Sequence, residues 1–150
     1  MRKAICLFFA VLAPSLPLWS QATGGEGPSR DPVDVIGLTL TMVYIRYGIP
    51  DTVYAVRGAE EWQDDVVFVY NDWDLYMYKD RVWQVGVKSS HDIRLGDPGG
   101  VVSLALGEGL KTYNGYMLYK LPSRAWPLEM RITLDAAGKV AAIFIYRSDF

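Results

Sequence analysis

The sequence predicts an α+β fold: two tandem units, each a short helix followed by an antiparallel β-meander, with the helices packed on one sheet face. Three observations lead there. Glycine-bounded helical stripes occur twice, over Ile36 to Gly48 and Leu95 to Gly107. Each is followed by runs rich in Val, Tyr, Phe and Trp, separated by turn residues. Within each unit no helical stripe separates consecutive strand runs, so there is no crossover to build a parallel sheet.

Residues 1–22 come first and read as a cleavable secretory signal. Arg2 and Lys3 form a positive start, Ala4 to Trp19 is an apolar run, and Ser20-Gln21-Ala22 offers small residues where a peptidase cuts. The run falls short of the roughly 20 residues a spanning helix needs, and Pro14 and Pro17 interrupt it. No integral membrane segment is therefore expected after cleavage. Cys6, the single cysteine, lies inside this run, which leaves the mature chain without disulfides or thiol chemistry. Residues 23–34, rich in Gly, Pro and charge, read as a flexible leader.

The two predicted units, residues 35–91 and 92–150, share one compact domain. Gly37 aligns with Gly96, Val43 with Val102, Ile45 with Leu104 and Gly48 with Gly107 at constant spacing. In the first helix Thr39 is the cap, Leu40, Val43, Tyr44 and Tyr47 form the stripe, Gly48 supplies the terminus, and Pro50 prevents continuation. In the second, Asp97 is the expected cap, Pro98 takes the first helical position and Gly107 ends it. Strands are expected over Thr52 to Arg57, Asp65 to Tyr70, Leu75 to Lys79, Arg81 to Lys88, Tyr116 to Leu121, Glu129 to Asp135 and Lys139 to Arg147. Asn71-Asp72, Lys79-Asp80 and Asp135 to Gly138 are the turns.

At this point the chain resembles a known group. Gly37-x-Thr39-x-x-x-Val43, followed by Tyr47-Gly48-x-Pro50, resembles the opening of small periplasmic domains typified by the SmpA/OmlA outer-membrane assembly lipoprotein. The tandem arrangement, with strands meeting at Lys79-Asp80-Arg81-Val82, is similar to the β-lactamase-inhibitor-protein-like fold built from two such units. The resemblance implies helices covering one face of an antiparallel sheet, and protein binding rather than chemistry. It transfers no binding residue to this chain. The chain also departs from the lipoprotein members in having no cysteine at the cleavage point.

The composition narrows the function classes. Fifteen basic residues stand against 17 acidic, a net charge of −2, and loss of Arg2 and Lys3 makes the balance more acidic still. With no basic run, nucleic-acid binding loses its electrostatic basis. His91, the one histidine, sits in Lys88-Ser89-Ser90-His91-Asp92 and reads as a solvated linker; its contiguous neighbours cannot converge into a triad or a zinc site. Glu60-Glu61-Trp62-Gln63-Asp64-Asp65 lacks the alternation and internal glycine of a calcium loop and reads as an acidic hairpin tip. Gly96-x-x-Gly99-Gly100 lacks the surroundings of a nucleotide site. No catalytic residue, metal or cofactor is expected.

The aromatic strands are the candidate site. A tight turn at Lys79-Asp80 places Tyr78 opposite Arg81, Met77 opposite Val82 and Tyr76 opposite Trp83, with Val85 on the same face as the two tyrosines. Tyr76, Tyr78 and Trp83 then form an amphipathic aromatic face, with Trp62 on its rim. The expected role is binding of another protein in the cell envelope, in a periplasmic or secreted setting. The alternative is a binding module for a small apolar ligand or an envelope glycan.

Overall fold

In the computed structural model the described residues are 31–57, 65–122 and 124–149. The expected secretory signal, most of the leader and Trp62 lie outside them. Within them runs a 3-10 turn at Pro32–Asp34, then α1 (Leu40–Tyr47), β1 (Thr52–Val56), β2 (Asp65–Val69), β3 (Trp73–Tyr78) and β4 (Arg81–Val87). A two-residue hairpin, β5 (Ser89–Ser90) and β6 (Ile93–Arg94), leads into α2 (Gly99–Leu106). The chain closes with β7 (Lys111–Tyr113), β8 (Tyr116–Leu121), β9 (Leu128–Leu134) and β10 (Val140–Arg147).

The expectation of two helix-plus-meander units is corrected. Eight strands form a single antiparallel sheet in the order β1-β2-β3-β4-β10-β9-β8-β7, and the described residues are mostly β with two α-helices. The reason lies at the middle of the sheet. β4 and β10 pair with each other over Ile143–Val87 to Tyr146–Gln84, so neither half closes a sheet of its own. The resulting core is continuous across the junction: Leu75, Val85, Ile145 and Met130 sit side by side on four neighbouring strands and are all fully buried.

The helices begin and end for local reasons. Thr39 Oγ1 accepts the Met42 N–H at 3.3 Å and caps α1, and Gly48 follows at φ 76. At α2 the expected Asp97 cap is not formed. Pro98 is the cap residue, without a side-chain hydrogen bond, and Asp97 instead accepts from the Arg94 N–H at 2.8 Å. Val43 of α1 and Val102 and Leu106 of α2 are the helical residues that enter the core.

One glycine is demanded by packing. Gly37 has φ +87, and a Cβ there would lie 2.7 Å from Trp126 Nε1. Trp126 in turn stacks under the Arg147 guanidinium at 3.8 Å. Arg124 beside it pairs with Asp31 and Asp34, which ties the start of the described chain to the β8–β9 connection.

Candidate functional site

Alternation along the strands sorts every residue of the sheet onto one of two faces. Trp73, Leu75 and Met77 of β3 are buried on the helix side, while Asp74, Tyr76 and Tyr78 between them are half-buried on the other. The same alternation continues in β9 and β10, where Arg131, Phe144 and Tyr146 oppose the fully buried Ile132 and Ile145. Among the described residues no helix lies over this second face, which is called the open face here.

A bulge decides how the expected aromatic residues are placed. Tyr78 pairs with Arg81 and Met77 with Val82, as the turn at Lys79-Asp80 requires. The register then slips, so Tyr76 pairs with Gln84 rather than Trp83, and Trp83 is the extra residue. Val85 consequently moves to the core side, opposite Leu75, and leaves the aromatic face. The half-buried Trp83 indole donates from Nε1 to Asp65 Oδ1 at 2.8 Å. Asp65 adjoins Val66, which pairs with Met77, so it shares the open face with Tyr78. Tyr76, Tyr78 and Trp83 thus come together on one face. Trp62 lies outside the described residues.

The open face also holds residues that the sequence analysis did not single out. Tyr76 meets Phe144 edge-on, with ring centroids 5.8 Å apart at 81°. Arg131 lies over Phe144 at 5.3 Å and over Tyr146 at 5.8 Å, and Tyr146 donates to Glu129 at 3.1 Å. The Tyr76–Phe144 contact joins the two halves of the chain and exists only because β4 pairs with β10, whereas the Arg131 and Glu129 contacts lie within the β9–β10 hairpin. Beneath this layer Val67 is fully buried although it stands outside the helix-side core. The aromatic layer therefore covers backbone and aliphatic surface without forming a second compact core.

Burial sets the electrostatics. The Tyr76 phenol is pushed up to about 12, chiefly by desolvation, with Tyr54 and Asp74 adding to the shift. Tyr146 is pushed up to about 12 by desolvation and by its hydrogen bond to Glu129. Burial also raises the Asp74 carboxyl above the ordinary carboxylate range, against the opposing pull of Lys88. Both phenols are held neutral, so at physiological pH the face offers hydroxyls rather than phenolates.

The concavities here are open. One of about 210 Å³ lies beside Asp74, Tyr76, Gly86 and Phe144. A larger groove of about 470 Å³ at the β7–β8 end mixes Glu108, Lys111, Lys120 and Glu129 with Tyr113 and Leu118. Among the described residues no three His, Cys, Asp or Glu side chains cluster as metal ligands. His91 belongs to a tight turn, with φ 51, and its Nδ1 lies 2.8 Å from Ser90 Oγ.

No protein-family model and no curated protein matches the chain. Among solved structures it is similar to an extracellular protein containing an SCP domain from Bacillus anthracis str. Ames, at 10% identity and a TM-score of 0.49. The match covers 90% of this chain and 51% of that one, so the chain spans about half the length of that neighbour. Among the described residues no helix is long and apolar enough to cross a membrane.

Proposed function

We propose that this chain is a non-enzymatic exported protein that binds another protein of the cell envelope through the open sheet face. The observation behind this reading is the aromatic layer of Tyr76, Tyr78, Trp83, Phe144 and Tyr146, half-buried on the face over which no helix lies among the described residues. Tyr and Trp of this kind keep a polar handle toward water while offering large apolar area, a composition enriched at protein interfaces. A broad face with shallow grooves suits a macromolecule better than an enclosed small ligand, which favours a deep pocket. Export rests on Arg2, Lys3, the apolar run and Ser20-x-Ala22, and the resemblance to periplasmic binding domains agrees with it.

Photo-crosslinking in intact envelopes tests the reading. A photoreactive residue at Tyr78 should yield a discrete protein adduct, while one at Leu104, exposed on α2, should not yield the same adduct. Identical adducts from both positions, or none from position 78, would overturn it. An adduct that survives protein digestion would point instead to a glycan or lipid.

A further inference from the structure

The two ends of the sheet are built differently, and among the described residues nothing shields the β1 end. Natural proteins blunt an edge strand with charge, proline, brevity or a bulge, because its unpaired N–H and C=O groups invite another strand. β7 is three residues long and opens on Lys111. β1 has five residues, Thr52-Val53-Tyr54-Ala55-Val56, all exposed, none charged and none bulged against β2. Val53 is 49% exposed and Ile49, just before the strand, 87%. Among the described residues no strand lies on its outer side.

The hydrogen-bond parity shows which groups face outward. Tyr70 donates its N–H to Trp73 within the β2–β3 hairpin, so Val69 turns its carbonyl to β1, where Asp51 N–H takes it. Alternation then directs Thr52, Tyr54 and Val56 toward β2, and leaves the backbone groups of Val53 and Ala55 along the outer edge.

We propose that this edge pairs with β1 of a second copy of the chain, antiparallel about a two-fold axis through Tyr54. That register sets Val53 against Ala55 of the partner copy, where both present outward N–H and C=O groups. It also sets Thr52 against Val56, and Asp51 against Arg57, at each end of the pair. The charges flanking β1 are thus self-complementary in a register that also matches the outward backbone groups around Tyr54. Because the axis stands perpendicular to the sheet, the open faces of both copies lie on the same side. The pairing is independent of what the open face binds.

Sedimentation over a concentration series, with cysteine crosslinking, tests the inference in the full chain carrying Cys6→Ser. The protein should be a dimer at high concentration. Tyr54→Cys should oxidise to a covalent dimer, since side chains of directly opposed residues lie about 5 Å apart. Thr52→Cys should not, because each faces Val56 of the other copy. Asp51→Arg should weaken the dimer roughly tenfold or more, and the swap Asp51→Arg/Arg57→Asp should restore it. A monomer at every concentration, a covalent dimer from Thr52→Cys but not Tyr54→Cys, or no recovery in the charge swap would overturn the proposal.

Discussion

The two faces of the central strands differ in kind, although they alternate residue by residue along the same backbone. On the helix side Leu75, Val85, Ile145 and Met130 are sealed from water under α1 and α2. On the open side Tyr76, Gln84, Tyr146 and Glu129 occupy the matching row, and Tyr146 donates a hydrogen bond to Glu129. The first face is held by apolar burial and tolerates little loss of volume. The second keeps a polar atom on most of its large side chains, and so can stand against water until something covers it.

The largest expected effect lies on the helix side. Leu75→Ala or Ile145→Ala should cost about 2–5 kcal/mol in chemical denaturation, as for other fully buried aliphatics. A loss below about 1 kcal/mol would show that the helix side is not the stabilising core and would erase the contrast. Trp83→Phe comes next: it retains an aromatic ring and removes the bond to Asp65, for an expected cost of about 0.5–1.5 kcal/mol. A core-sized loss there would place Trp83 with the sealed side.

Alkaline titration sharpens the same comparison. Tyr76 and Tyr146 have folded values near 12, above the ordinary 10, so the fold favours their neutral forms. Their contribution is fully present below pH 10 and is lost as pH rises through about 12. Ultraviolet titration of the folded protein should therefore find Tyr76 and Tyr146 among the late-ionising phenols, and stability should fall across that window. Phenols that all ionise near pH 10 would mean that the open layer is looser than its contacts indicate. The smallest effect concerns Asp74, whose raised carboxyl disfavours the charged form in the fold. Asp74→Asn should raise the neutral-pH melting temperature by no more than a few degrees, a gain that disappears as pH falls toward 4.

How much of this could be read from the sequence depends on the range of the interaction. Thr39, Gly48 and the Lys79-Asp80 turn act within a few residues, and the α1 cap, its terminus and the β3–β4 hairpin formed where those residues indicated. The union of the halves into one sheet was not legible, because the β4–β10 pairing joins Val87 to Ile143 across about half the described chain. The bulge at Trp83 was equally hidden: a two-residue turn fixes the register only until a residue slips, and the slip moved Val85 to the core. β7 escaped notice because Lys-Thr-Tyr has no apolar alternation. Of the site, Tyr76 and Tyr78 could be placed on one face by counting, whereas Phe144, Tyr146 and Arg131 reach it only through the long-range pairing.

The affinity of Tyr78→Ala for the envelope protein captured at that face, measured beside its melting temperature, tests the central claim most directly. Tyr78 lies on the open face and outside the helix-side core, so its loss should shift melting by only a few degrees. Binding should weaken about thirtyfold or more, the roughly 2 kcal/mol expected of an interface anchor. Unchanged affinity in a folded Tyr78→Ala protein would contradict the account, because the partner would then be held by some other surface.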